Sequence, residues 1–307
     1  MDMHHLIGHS VNAIDTPALV VDLDMMERNL ATMAAFAAQH NVKLRPHAKM
    51  HKSAELAKLQ MAAGAVGVCV QKTSEAEALV AGGVHDIYIS NEVIAPAKLA
   101  RVATLTRELA PLGGKLAICV DSLEGIKRLA ASMNEGRLAS GVASSIDVFI
   151  ELNVGHNRCG VAPGTPAVAL AHEIRKHPAL NFAGLQAYHG KAQHMRNASE
   201  RRDAIANVIK LVSHTRQLIE DEGIKVALVT GAGTGTAPLE AASKLYGELQ
   251  AGSYLFMDAD YAANEPVANQ PRFKHALFVK TQVISVQAGH AVCDAGHKSH
   301  AIDSGLP

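Results

Sequence analysis

The sequence predicts an α/β chain wound as a (β/α)8 barrel. Three observations carry that expectation. Short β-branched runs alternate with alanine-rich amphipathic segments along most of the chain. The runs are apolar on both faces, as in AVGVCV (65–70) and IDVFIEL (146–152), which suits a parallel sheet covered by helices. Polar residues and glycines gather at the same end of nearly every strand, where such barrels carry their active groups.

In chain order, Ala18–Asp22 reads as a strand and Met25–Gln39 as a helix. Eight more strands are expected, at Val42–Pro46, Val66–Val70, Asp86–Ser90, Lys115–Val120, Ile146–Leu152, Asn181–Ala187, Lys225–Val229 and Leu245–Gln250. Helical patterns fill most gaps, at Ala54–Ala63, Ser74–Ala81, Ala97–Ala110, Leu123–Met133, Thr165–Lys176 and Ser199–Glu222. Eight units after the first strand suggest closure into a barrel. A doubly wound open sheet is the competing arrangement.

Past Asp260 the pattern changes. Ala276–Gln287 and His290–Cys293 alternate like antiparallel strands with no helix between them. The reading is an N-terminal segment (1–23) whose strand joins a β domain, a barrel (24–262), and the start of a C-terminal β domain (263–307). Two or three strands are too few to close a β domain alone. That domain is therefore expected to be incomplete, as if the chain were cut short.

Composition narrows the function classes. The 307 residues carry no net formal charge, which gives no electrostatic reason to expect nucleic acid or an anionic membrane as partner. No apolar run approaches the ~20 residues of a membrane span. The first residues, MDMHHLIGHS, lack the apolar core of a secretory signal. Cys69, Cys119, Cys159 and Cys293 form no CxxC pair and fit reduced thiols in a cytoplasm.

Chemistry concentrates at the strand ends. Arg45-Pro46-His47-Ala48-Lys49-Met50-His51-Lys52 packs basic and imidazole side chains just after a strand. A lysine crowded by cations has its ammonium form disfavoured, so a neutral amine becomes available for an aldehyde. Lys49 is the candidate; the bland alternative is a solvated basic loop. The late loop Thr230–Thr236 offers Gly231, Gly233, Thr234, Gly235 and Thr236, the ingredients of an anion nest. With Gly252-Ser253-Tyr254 it falls after strands seven and eight, where barrels often bind phosphate. It is not a Walker loop, because no lysine follows the last glycine. An amine-bearing lysine and a phosphate nest are the two anchors pyridoxal phosphate requires. Arg158, in a glycine-flanked turn, suits a phenolic oxygen, a substrate carboxylate or a mere loop salt bridge. Tyr188 suits contact with a pyridine ring or a cap on the barrel core. His189 and His194 are both candidate general bases.

The motifs RPHAKMHKS, GVCVQKTSEAEA, HDIYISNEV, GHNRCGV, FAGLQAYHGKAQH, TGAGTGT, ELQAGSYLFMDADY and DAGHKS resemble the D-threonine aldolases. These are metal-activated pyridoxal-phosphate enzymes whose barrel is of the alanine racemase N-terminal type. The resemblance runs from about Thr16 to Pro307. D-3-hydroxyaspartate aldolases look nearly as similar, and Asp303-Ser304-Gly305-Leu306-Pro307 leans toward them. D-serine and D-hydroxyaspartate dehydratases are more distant relatives.

The resemblance implies Lys49 as the Schiff-base lysine, with Arg158 and Tyr188 near the cofactor ring. It assigns the Gly231–Thr236 loop and Gly252-Ser253-Tyr254 to the phosphate, and His194 rather than His189 to the catalytic base. It implies cleavage of D-threonine and related D-β-hydroxy-α-amino acids to glycine and an aldehyde, with a divalent cation (Mn2+ or Mg2+) polarising the hydroxyl. A homodimer is also implied. The family's metal ligands would lie beyond Pro307, so no residue here is assigned to the metal, and the site is expected to be incomplete. The alternatives are the hydroxyaspartate aldolase, a dehydratase, or a non-catalytic pyridoxal-phosphate carrier.

Overall fold

The computed structural model describes residues 4–140 and 144–301. The lean drawn from Asp303–Pro307 lies outside them.

Strand β1 (Ala18–Val21) leads into helix α1 (Leu23–His40), which Asp22 caps by accepting the Met25 N–H. The repeating part follows. It runs β2 (Lys43–Leu44), α2 (Ala54–Ala62), β3 (Val68–Val70), α3 (Thr73–Ala81), β4 (Asp86–Glu92) and α4 (Pro96–Leu109). Next come β5 (Lys115–Val120), α5 (Leu123–Ser140), β6 (Ile146–Glu151), α6 (Thr165–Arg175), β7 (Leu180–Ala187) and α7 (Ala198–Asp221). The run ends with β8 (Leu228–Gly231), α8 (Ala237–Ala242), β9 (Glu248–Leu249) and α9 (Ala259–Ala262).

Strands β2 to β9 form one parallel eight-stranded sheet in the order β2-β9-β8-β7-β6-β5-β4-β3. Its two edges meet. Val66 N–H donates to Leu44 O at 2.9 Å, Cys69 N–H donates to Pro46 O at 2.8 Å, and His47 bridges Cys69 in parallel. The sheet therefore curls into a ring, and the open-sheet alternative falls away. Helix and strand faces bury Val68, Ile87, Ile118, Val148, Leu99 and Val212 between them. Truncating such a side chain to alanine costs about 2–5 kcal/mol.

The barrel interior is polar in its upper part. Tyr88 and Phe149 rings pack 4.8 Å apart inside it, with Cys69 and Cys119. Above them the Tyr88 hydroxyl donates to Gln186 Oε1 at 2.9 Å, and Gln250 Nε2 donates to the same oxygen at 2.7 Å. These bonds satisfy the Tyr88, Gln186 and Gln250 side chains and fix the strand ends that face the cavity.

Several boundaries differ from expectation. β2 and β9 are only two residues long, since Pro46 has no N–H to continue the ladder. α8 and α9 carry too few turns to show a period. In β7, a Cβ at Gly184 would fall 1.9 Å from Leu228 O, so only glycine permits the β7–β8 approach there.

The expected strand Ala276–Gln287 is two strands, β10 (Leu277–Lys280) and β11 (Val283–Gln287). The break comes where Asp294 Oδ1 accepts both the Thr281 hydroxyl (2.7 Å) and the Gln282 N–H (2.9 Å). β10 pairs antiparallel with β1, Ala18 facing Lys280, and β11 pairs antiparallel with β12 (His290–Cys293). Among the described residues, no helix is long and apolar enough to cross a membrane.

Candidate active site

The C-terminal ends of the barrel strands surround a cavity. Lys49, Arg158, Tyr188, Gly233, Thr234, Gly252 and Ser253 all line it. These seven come from strand ends far apart in sequence, and closing the ring brings them together.

The basic cluster divides by direction. His47 ends its strand buried, with Nε2 3.2 Å from Ser90 Oγ. Burial, then the charge of Lys49, holds its pKa well below that of a free imidazole. A tight 3-10 turn then swings Lys49 to the cavity and Lys52 away, into an ion pair with Glu75. His51 Nε2 lies 3.2 Å from Gln60 Oε1. The Lys49 side chain is open to the cavity, yet the surrounding walls withdraw solvent and lower its ammonium pKa. The Arg158 charge lowers it further. The cause is thus chiefly desolvation with one remote arginine, not the neighbouring cations of the segment.

The glycine loop is shaped from behind. Gln193 is fully buried; its Nε2 donates to Thr236 Oγ1 (2.8 Å) and its Oε1 accepts the Gly235 N–H (3.0 Å). Thr234 Oγ1 accepts the Tyr254 N–H at 3.0 Å, joining this loop to the Gly252-Ser253-Tyr254 turn. Gly231, Gly235, Thr236 and Tyr254 stand outside the cavity lining. Thr236 donates to buried Glu240 at 2.8 Å, and the Tyr254 hydroxyl accepts from Gln60 at 3.1 Å. Gly231 sits in β8, where a Cβ would meet Ala187 O at 2.2 Å. These four make their contacts within the loop and its supports, one layer behind the cavity wall.

Tyr188 is held neutral by burial, and Tyr261 packs against it from α9. His194 does not line the cavity. Its ring lies 5.7 Å from that of Tyr261, which does, and its Nδ1 is 2.6 Å from Asp260 Oδ2. His189 is buried with no partner for Nδ1 among the described residues; burial, then the nearby His156, lowers its pKa. Sequence reasoning did not weigh Gln193 as a support or Tyr261 as a lining residue. The motif ELQAGSYLFMDADY held Tyr261, but nothing in its spacing aimed the side chain.

A family model described as the alanine racemase N-terminal domain matches residues 21–260. A D-threonine aldolase of Arthrobacter sp. is 44% identical over 304 residues, 98% of this chain and 76% of the relative. The chain belongs to the D-threonine aldolase family.

A 3-hydroxy-D-aspartate aldolase of Paracoccus denitrificans (strain Pd 1222) is 40% identical over 312 residues, 100% of this chain and 78% of that one. The crystal structure of D-threonine aldolase from Filomicrobium marinum superposes with a TM-score of 0.90 at 47% identity, covering 97% of this chain and 77% of that one. The expected barrel of the alanine racemase N-terminal type is therefore the fold of this D-threonine aldolase family member.

Proposed function

We propose that this chain is a pyridoxal-phosphate aldolase that cleaves D-threonine and related D-β-hydroxy-α-amino acids to glycine and an aldehyde. One observation carries the reading. The softened amine of Lys49 shares a cavity with two glycine turns, Gly233-Thr234 and Gly252-Ser253. The donor set fits the cofactor. Gly233 and Gly252 bring backbone to the cavity wall with no side chain of their own, which suits the close approach of a phosphate.

When bound, pyridoxal phosphate supplies an electron sink for the broken Cα–Cβ bond. Lys49 would hold its aldehyde carbon, Arg158 and Tyr188 its ring, and Gly233, Thr234, Gly252 and Ser253 its phosphate. His194, beside Tyr261 and outside the cavity lining, is the base that the family resemblance implies for the β-hydroxyl proton, with Asp260 fixing its Nδ1. Loss of that proton lets the C–O bond become a carbonyl as the aldehyde departs, and a proton returned to Cα completes glycine. The divalent cation, Mn2+ or Mg2+, enters this reading through the family resemblance alone. A homodimer and a cytoplasmic setting complete it, the latter supported by four free cysteines.

A product assay with pyridoxal phosphate and Mn2+ tests the reading, offering D- and L-threonine and D-3-hydroxyaspartate. Glycine from the D-isomers alone is expected. Keto acid and ammonia in place of glycine would make the chain a dehydratase.

A further inference from the structure

A second cluster of ionisable side chains lies beside the cavity, at the ends of three adjacent strands. Glu92 ends β4, Asp121 follows β5, and Glu151 ends β6. Cys159 joins them from the turn after β6, next to Arg158. Ligand-capable atoms of Glu92, Asp121 and Cys159 all lie within 4.8 Å of one another. The Glu151 carboxyl and the Cys159 thiol both lie close enough to Glu92 to feel its charge. Asp121 is aimed by the Gly160 N–H, which donates to its Oδ2 at 3.1 Å.

Such a cluster is electrostatically costly, and the charge of Arg158 offsets only part of it. Both oxygens of Glu92 and Oε2 of Glu151 are buried and accept no hydrogen bond among the described residues. Glu151 is only 7% exposed, so water does not make up the deficit. An unpartnered carboxylate this deep, turned toward two further carboxylates and a thiol, marks a place for a cation.

We propose that Glu92, Asp121, Glu151 and Cys159 bind one divalent first-row cation of the zinc kind. Magnesium and calcium prefer oxygen donors alone, whereas zinc accepts cysteine sulfur together with carboxylate oxygen. The cation ties the ends of β4, β5 and β6 to the turn that carries Arg158, and so fixes where that guanidinium enters the cavity. The inference does not rest on the aldolase reading.

The test is zinc K-edge X-ray absorption on the pyridoxal-phosphate-loaded protein, stripped with chelator and reloaded with one equivalent of Zn2+. One sulfur at about 2.3 Å with oxygens at about 2.0–2.2 Å is expected. Cys159→Ser should lose the sulfur shell, and Cys293→Ser, at an exposed thiol, should keep it. Glu92→Gln, nearly the same in shape, should weaken zinc binding at least about tenfold in competition with a chromophoric chelator. Failure of the parent to retain zinc, a first shell without sulfur, or a sulfur shell that survives Cys159→Ser would each overturn the site. In those cases the carboxyls share protons instead.

Discussion

His194 Nδ1 lies 2.6 Å from Asp260 Oδ2, and Arg196 grips the other oxygen of the same carboxylate. Arg196 also donates to Asn264 Oδ1 (2.7 Å), whose amide donates to Gln193 O (2.8 Å). The imidazole is thereby held by a chain of contacts that ends at the glycine loop. Asp260 has a lowered pKa, first through the Arg196 hydrogen bond and then through His194, so it is ionised at neutral pH. If His194 is the base, His194→Ala should keep the cofactor and lower kcat about 100- to 10,000-fold. Asp260→Asn should lower kcat about tenfold with KM little changed, because it misorients the ring without touching substrate. A fully active His194→Ala protein would move the role to another group, with His189 next.

Lys49 makes a sharper test of the cofactor site. Borohydride reduction of the protein with pyridoxal phosphate should leave one pyridoxyl group, found by mass spectrometry on the peptide containing Lys49. Lys49→Ala should take up none, although Lys52 is close in sequence. Lys52 is paired with Glu75 and turned away from the cavity, so it offers no substitute amine. Label on Lys52 in the parent protein would reverse the assignment.

The barrel and most of the cavity are legible in the sequence, because parallel strands share a direction and their polar ends must meet. That rule puts Lys49, Arg158, Tyr188, Gly233, Thr234, Gly252 and Ser253 at strand ends, while the choice among their possible roles comes from the family resemblance. What the sequence conceals is side-chain direction at turns. Tyr254 follows Ser253, yet its ring turns inward to Phe273 at 5.7 Å while Ser253 faces the cavity. Gln193 precedes His194, yet it is wholly buried and His194 is exposed. Adjacent residues in a short 3-10 turn point apart, and no spacing announces which one faces the ligand.

The two cavity glycines should respond differently to a methyl group. At Gly252 the new Cβ would sit 2.8 Å from the His47 carbonyl oxygen and 3.2 Å from its Cβ. That backbone is bound to Cys69 across the closing seam of the barrel and cannot retreat cheaply. At Gly233 the clash is with the end of the Gln193 side chain, at 2.4 Å. Gln193 can move, but only by releasing Thr236 and Gly235. Gly252→Ala should therefore lower thermal stability and weaken cofactor binding together. Gly233→Ala should mainly weaken cofactor binding, by about tenfold or more, while the melting temperature of the cofactor-free protein changes little. Equal losses of stability in both variants would refute the distinction.

Glu240 gives the fold a pH dependence whose sign can be stated. It is fully buried behind the glycine loop, and burial raises its pKa from 4.5 to about 7, despite the hydrogen bond from Thr236. Below pH 4.5 the carboxyl is neutral in both folded and unfolded chains and has no effect. Between pH 4.5 and 7 the unfolded chain releases the proton while the folded one keeps it, so stability falls as pH rises. Above pH 7 the loss is complete, at about 3 kcal/mol. Glu240→Gln keeps an acceptor for Thr236 and cannot ionise. In denaturant titrations it should match the parent near pH 4.5 and exceed it at pH 8 by up to that amount. A gap that is the same at both pH values would show that Glu240 does not titrate in this range.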